Sequence, residues 1–306
     1  MTADGAALSL GLDGGGTATR WVLRRADGTI LARGAGAGMS GHVFTPEALA
    51  NARARLAAIL ADAAAHAAGG RIAAIGAGIT GLGAGTTAAA ALASQLAELA
   101  GVPVGRVKMM GDVEVAYHAA FRPGEGHLVY AGTGSVGCHA TAAGELVVVG
   151  GRGMLIDDAG SAFWIARNAL AHVLRLEDRA PGTGWSTPLG TALAARIGGS
   201  AWDVVRAAVY GAERGEIGRL ALAVAEAAAT GDATATAMLA TAGTELARLA
   251  EVLAHRFGPR PVALAGGAAS LHPAIEEGFA AALSPGLVRV HPALDPAATA
   301  ARLAAA

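Results

Sequence analysis

Alternating apolar and polar residues predict the strands of this chain, and stretches with apolar residues on one helical face predict its helices. Three strands, 8–13, 19–25 and 30–36, follow one another closely and predict an antiparallel meander. Helices and strands then alternate, at 45–68 (helix), 72–80 (strand), 88–100 (helix), 107–112 (strand) and 113–120 (helix). This order predicts a mixed five-stranded sheet with helices on its faces.

The same order of elements begins again near residue 128. Its predicted elements are strands at 128–132, 137–141 and 145–149, a loop at 150–160, a helix at 161–174, a polar connection at 175–190, mostly helical residues at 191–254, a strand at 261–265, a helix at 273–282, a strand at 287–291 and a helix at 296–305. The repetition predicts two related domains, 1–121 and 122–306, the second with a helical insertion. The last helix could also pack back on the first domain.

Composition narrows the class of protein. Of the 306 residues, 53% are hydrophobic and only 4% aromatic, so two aliphatic cores are expected. The net charge of −1 and the lack of a basic run give no reason to expect a nucleic-acid partner, and no apolar run is long enough for a membrane span, so neither nucleic acid nor a membrane is expected as a partner. Cys138 is the single cysteine, which fits a reducing cytoplasm. The alanine-faced helices of the second domain are compatible with a homodimer.

A glycine-rich turn after the first strand is the first candidate site. It comprises Asp13, Gly14, Gly15, Gly16 and Thr17. Consecutive glycines allow positive φ angles and a close approach of backbone amides to an anion. Asp13 could hold a hydrated Mg²⁺ through an oxygen ligand. The turn therefore predicts a phosphate-binding hairpin, and an ordinary glycine hairpin is the alternative.

A second glycine-rich turn opens the second domain, with Gly132, Thr133, Gly134, Ser135, Val136 and Gly137. Its spacing matches the dinucleotide fingerprint, but that fingerprint must open a helix, and strand-like residues follow here. We therefore favour a second phosphate hairpin over a dinucleotide site or a purely structural turn.

Three further segments carry candidate chemistry. Asp112 ends a predicted strand, where it could accept a proton from a hydroxyl or simply cap the next helix. Asp157 and Asp158 lie in the glycine-rich loop, where they could bind sugar hydroxyls or cap a helix. The pair Gly266 and Gly267 follows a strand and would let an adenosine lie on the backbone, although many strand-to-helix turns look the same.

Taken in order, these segments resemble the actin-like ATPase superfamily, which includes hexokinases and acetate kinases. Within it, the chain resembles the N-acetylglucosamine and glucosamine kinases of the wider BadF/BadG/BcrA/BcrD ATPase family. The loop at 150–161 carries the most specific resemblance. The likeness implies an α/β fold of duplicated actin-like (ribonuclease H-like) domains with an ATP cleft between them.

The resemblance also implies an ATP-dependent kinase for a small amino sugar, acting at the 6-hydroxyl. Asp112 would be the catalytic base, and Asp13 would hold Mg²⁺ through water. Phosphate and adenosine contacts would come from Gly14, Gly15, Gly16, Thr17, Gly132, Thr133, Gly134, Gly266 and Gly267. Sugar contacts would come from His42, Thr80, Gly81, Asp112, Ser135, Val136, Gly151 and Asp158.

Four positions depart from the pattern of N-acetylglucosamine kinases: Gly41, Val136, Arg152 and Ala159. They weaken the assignment to N-acetylglucosamine specifically and leave phosphate handling intact. They also motivate an alternative of another class, an ATP-binding regulatory switch. Separately, the sequence does not decide between ATP and GTP. The related dehydratase activators need two cysteines per subunit for an iron–sulfur cluster, which Cys138 alone cannot supply.

Overall fold

In the computed structural model, residues 6–16, 18–83 and 85–306 are described, and they form ten β-strands and eleven α-helices. The strands are β1 Ala7–Gly14, β2 Ala18–Arg25, β3 Ile30–Ala37, β4 Arg71–Ile79, β5 Val107–Gly111, β6 His127–Ala131, β7 Ser135–Ala140, β8 Leu146–Gly150, β9 Val262–Ala265 and β10 Arg289–Val290. The helices are α1 Pro46–Ala65, α2 Thr87–Ala100, α3 Asp112–Ala120, α4 Ala162–Arg179, α5 Pro188–Ile197, α6 Trp202–Tyr210, α7 Arg214–Gly218, α8 Ala221–Ala229, α9 Ala233–Phe257, α10 Pro273–Ala282 and α11 Pro296–Ala305.

The chain divides into two units. The first comprises Met1–Ala120 and Ala293–Ala306, and the second comprises Phe121–Pro292. The predicted range 122–306 thus differs from the structure at its end, because the last helix belongs to the first unit. No helix in the described residues is both long and apolar enough to cross a bilayer.

The first unit contains a mixed sheet in the order β3-β2-β1-β4-β5. Strands β1, β2 and β3 pair antiparallel, whereas β4 runs parallel to β1 and β5 runs parallel to β4. Leu8, Leu10 and Leu12 are buried on one face of β1. The mixed five-stranded sheet predicted from the sequence is confirmed.

Helix α11 packs directly on the backbone of this sheet. A Cβ atom on Gly11 would overlap the carbonyl oxygen of Ala297, and one on Gly76 would overlap that of Ala300. These two glycines leave a flat surface on β1 and β4, which explains how a helix from the far end of the chain docks in the first unit.

The second unit repeats the topology, with the order β10-β9-β6-β7-β8. Again three strands form an antiparallel meander, and the two others extend the sheet in parallel. The 25-residue helix α9 is central to its core, burying Leu239, Leu246 and Leu253. Both predicted sheets with flanking helices are therefore present.

The predicted connection at 175–190 is wrong at its beginning and its end. Helix α4 continues to Arg179, and α5 begins at Pro188. The Glu177 carboxylate accepts hydrogen bonds from the backbone amides of Gly182 (2.7 Å) and Trp185 (2.9 Å). Glu177 is thus a polar residue within α4 whose side chain stabilises the connection that follows the helix. For this reason the polarity of the segment does not indicate where α4 ends.

Candidate functional site

The glycine turn of the first unit connects β1 to β2. The amide of Gly15 donates to the carbonyl oxygen of Ala18 at 3.0 Å, which closes the turn. Thr17, predicted to bind phosphate, lies outside the described residues. Gly14, Gly15 and Gly16 do not adopt the positive φ angles that glycine allows.

The absence of a side chain, and not an unusual backbone φ angle, explains why glycine occurs in this turn. A Cβ on Gly14 would lie 3.1 Å from Cγ of Met39, whereas one on Gly16 would meet no described atom within 4 Å. Gly14 therefore permits close packing. The open side of Gly16 leaves its backbone accessible to a ligand.

Backbone hydrogen bonds join this turn to the segments predicted to bind sugar. The amide of Thr80 donates to the oxygen of Gly14 at 2.8 Å, and the amide of Gly41 donates to the oxygen of Thr80 at 2.8 Å. Met39 donates to Gly15 at 3.0 Å. The phosphate-type turn and the turn after β4 are thus one connected edge of the sheet.

His42 lies in the segment between β3 and α1, and its ring packs against the turn after β4. Gly81 has a φ of +73°, and a Cβ there would lie 2.9 Å from Nε2 of His42. The imidazole also stacks on Phe44, with ring centroids 5.7 Å apart. The structure therefore brings His42, Thr80 and Gly81 together.

Asp112 is the first residue of α3, immediately after β5. Its Oδ1 accepts a hydrogen bond from the Val113 amide at 3.0 Å, so it does contact the start of the helix. Gly14 and Gly111 both pair with Ile79 of β4, from opposite sides. Since adjacent strands are about 4.8 Å apart, the backbones at Asp13 and Asp112 lie roughly 10 Å apart at one sheet edge.

Electrostatics couple these two carboxylates. Burial raises the pKa of Asp13 and is the largest effect; the facing Arg20 opposes it, while Asp112 and Asp295 raise the pKa further. Asp13 and Arg20 are cross-strand neighbours in the β1–β2 register. A cation such as Mg²⁺ would relieve the repulsion between the carboxylates.

The corresponding turn of the second unit, at 132–134, connects β6 to β7. Gly132 donates to the oxygen of Gly134 at 2.8 Å, and Ala162 at the start of α4 donates to the oxygen of Gly132 at 2.9 Å. Strand β7 begins at once, at Ser135. A dinucleotide fingerprint would need a helix there, so that alternative is wrong.

Asp158 lies against this turn. It has a left-handed backbone (φ 55°), its Oδ1 accepts from the amide of Gly153 at 3.1 Å, and a Cβ on Gly134 would lie 2.6 Å from its Oδ2. Burial raises its pKa most; the Gly153 amide and Arg214 lower it, and Asp157 raises it. Glycine at 134 is what allows this close approach.

The other predicted residues of this unit lie around the same loop. The Ser135 hydroxyl donates to the oxygen of Ala159 at 2.7 Å, and the Gly151 amide donates to the oxygen of Ser135 at 3.0 Å. A Cβ on Gly151 would lie 3.1 Å from the side chain of Val136. The structure therefore brings Ser135, Val136, Gly151 and Asp158 together with the turn at 132–134.

The glycine pair after β9 has two different roles. Gly266 has a φ of +100°, and a Cβ there would overlap the carbonyl oxygen of Ala131. A Cβ on Gly267 would meet no described atom within 4 Å. Of these two glycines, therefore, only Gly267 leaves its backbone open to a ligand. Gly266 instead allows the chain after β9 to pack closely against Ala131 of β6.

Two arginines that the sequence did not predict as site residues interact with the aspartates of the loop at 150–160. Arg248 on α9 forms an ion pair with Asp157 (Nη2–Oδ2, 3.2 Å), and Arg214 on α7 lowers the pKa of Asp158. Both lie more than 50 positions from the aspartates, and no local motif marks such distant partners.

The donors present suit a nucleotide with Mg²⁺ better than a protein-held metal. Within residues 6–16, 18–83 and 85–306, no group of three or more His, Cys, Asp or Glu side chains could hold a metal ion. Mg²⁺ keeps several waters and commonly binds through one or two carboxylates and substrate phosphates. One carboxylate, Asp13, beside an open glycine backbone fits that arrangement.

Two sheets of this topology, each with a glycine turn after its first strand, define the actin-like ATPase fold. The sequence matches the BadF/BadG/BcrA/BcrD ATPase family over residues 10–304. The chain therefore belongs to that family. A search of curated proteins finds no match.

Similar solved structures include two provisionally assigned N-acetylglucosamine kinases. The one from Chromobacterium violaceum is 28% identical, with 96% of this chain and 98% of the other covered and a TM-score of 0.75. The one from Porphyromonas gingivalis is 18% identical, with 97% and 98% covered and a TM-score of 0.74. A Streptomyces griseus ROK family glucokinase, solved with glucose and AMPPNP, is 19% identical, with 97% and 98% covered and a TM-score of 0.63.

Proposed function

We propose that this protein is an ATP-dependent sugar kinase that phosphorylates the 6-hydroxyl of an amino sugar, N-acetylglucosamine or glucosamine. One observation carries the proposal: Asp112 lies at the same sheet edge as the glycine turn that follows Asp13. A phosphoryl-transfer site needs a carboxylate beside the acceptor and backbone donors beside the phosphates. Family membership and the kinase named among the structures above 25% identity support it.

ATP would be bound mainly through backbone groups. In this proposal Gly14, Gly15, Gly16 and Thr17 contact phosphates from the first unit, and Gly132, Thr133 and Gly134 do so from the second. The open backbone of Gly267 would support the adenosine, with Gly266 shaping the turn. Mg²⁺ held by Asp13 through water would neutralise phosphate charge.

A cytoplasmic location is part of the proposal, since the free Cys138 suits a reducing compartment.

Asp112 would accept the proton of the attacking hydroxyl through Oδ2, while its Oδ1 stays hydrogen-bonded to the amide of Val113 at the start of α3. His42, Thr80 and Gly81 in the first unit, and Ser135, Val136, Gly151 and Asp158 in the second, would orient the sugar. Backbone amides of the two turns would stabilise charge on the transferred group.

A coupled assay of ADP release tests this proposal. We would measure wild type and Asp112→Asn with N-acetylglucosamine, glucosamine, glucose, N-acetylmannosamine and no sugar. Asparagine keeps an oxygen for the Val113 amide but cannot take a proton. We therefore expect turnover that requires a sugar and falls about 100-fold or more in the variant, with ATP binding retained.

The matched control is Asp27→Asn, an exposed aspartate in the turn between β2 and β3, which should keep full activity. Turnover without sugar, or bound ATP without turnover, would reject the kinase for these sugars. Either result would favour the regulatory switch instead.

A further inference from the structure

Helix α6 carries an unusual outer face. On a helical projection, Trp202, Asp203, Arg206, Ala207 and Tyr210 fall within an arc of about 140°, and all five are exposed. The side chain of Val205 points the other way and is buried. Trp202 is 56% exposed and Tyr210 79% exposed, so two large aromatic side chains share one solvent-facing surface. We call these five residues the α6 outer face.

The composition of the α6 outer face is typical of an interface. Trp, Tyr and Arg are the residue types most enriched among those that dominate binding energy. Within the part of the chain that the structure describes, neither Asp203 nor Arg206 takes part in an ion pair. The surface thus offers one free charge of each sign between two exposed aromatic rings.

This charge pattern is complementary to itself. We propose that the α6 outer face binds the same face of a second copy of this chain, with the two α6 helices antiparallel about a twofold axis. If the axis passes at the height between Val204 and Val205, Arg206 of each copy lies opposite Asp203 of the other and beside the ring of Trp202. Two ion pairs and two cation–π contacts form by symmetry.

Tyr210 also finds room in this arrangement. At the same register, its ring lies opposite the turn at 198–199 that precedes α6 in the other copy. Both residues of that turn are glycines, so no side chain blocks the ring. The arrangement therefore covers both exposed aromatic residues, which is the hydrophobic contribution to association.

A single helix pair is a small interface. It buries less than the roughly 1,200 Å² that stable complexes reach, so we expect reversible, concentration-dependent dimers. This inference does not depend on the kinase proposal, because its readout is molecular mass and not activity.

Charge reversal tests the register. We would measure mass by sedimentation velocity and light scattering on the full chain from about 1 µM to 500 µM, for wild type, Asp203→Arg, Arg206→Asp and the double variant. Each single reversal places like charges opposite each other, and we expect the dissociation constant to rise more than about tenfold. The double variant restores the opposite charges but not the cation–π contacts with Trp202, so it should dimerise more tightly than either single reversal and less tightly than wild type.

Arg175→Asp is the matched control, since it makes the same charge change at another exposed helical arginine of this unit; it should leave association unchanged. Melting temperature and circular dichroism confirm that each variant is folded. The proposal is overturned if wild type stays monomeric, if the single reversals dimerise as tightly as wild type, or if the double variant dimerises no better than the single reversals.

Discussion

At the residue scale, the candidate site is defined by where a side chain is missing as much as by where one is present. Gly134 allows Asp158 to approach the turn, Gly16 and Gly267 leave backbone open, and Gly81 makes room for His42. Asp158 illustrates the cost of such a site. Its carboxylate is buried, so the charged form is destabilised relative to water.

Asp158→Asn should therefore separate binding from stability. The amide keeps an oxygen for Gly153 but removes the buried charge. Because the folded state raises the pKa of Asp158, its ionisation near pH 7 opposes folding. We expect a melting temperature equal to wild type or up to about 4 °C higher, with a sugar KM increased about 10- to 100-fold. A clear fall in melting temperature with unchanged KM would show that the carboxylate serves the fold alone.

At the element scale, close packing of helices on glycine surfaces organises both units. Helix α11 lies on Gly11 and Gly76, and α9 and α10 approach through Gly243 and Gly278, where added Cβ atoms would overlap backbone oxygens. Neither pair could be predicted from periodicity, since glycine carries no hydrophobic signal and each pair spans distant parts of the chain. The helices and strands themselves were predicted well, because their periodicity is local.

Gly76→Ala should weaken the docking of α11. The new methyl group overlaps the carbonyl oxygen of Ala300, and the backbone there cannot move without shifting the helix. We expect a loss of about 1–3 kcal/mol in the free energy of unfolding and faster proteolysis of the C-terminal residues. Gly105→Ala is the control, because its Cβ would meet no described atom within 4 Å. Equal stability of the two variants would contradict the packing described for α11.

At the scale of the whole molecule, the stability of the second unit is expected to depend on pH through His127, which lies beside a second buried histidine. His127 and His139 are both buried, with ring centroids 4.9 Å apart. Nε2 of His127 lies 3.0 Å from the oxygen of Gly258, and its Nδ1 has no partner among the described residues. Burial lowers the pKa of His127 most; the Gly258 oxygen raises it, and His139 and Arg260 lower it.

The sign of the pH effect follows from that lowered pKa. Below pH 6.5 an unfolded histidine takes up a proton that the folded His127 does not, so stability falls as pH falls. One such group changes the free energy of unfolding by at most about 1.4 kcal/mol per pH unit. Calorimetry from pH 5 to 8 should show a shallower decline in His127→Gln than in wild type. The exposed His255→Gln should follow wild type, and an equal decline in both variants would exclude His127.

The sequence by itself determined the elements, the duplicated order and the chemical character of the glycine turns, because these depend on periodicity and on neighbouring residues. Through resemblance to a family, it also predicted a sugar site that includes His42, Thr80, Gly81, Ser135 and Asp158. Only the tertiary structure decided that α11 belongs to the first unit, that Gly14, Gly15 and Gly16 avoid positive φ, and that Arg214 and Arg248 face the aspartate loop. Those outcomes depend on contacts between residues far apart in the chain, where packing space and burial set the geometry and no local pattern records it.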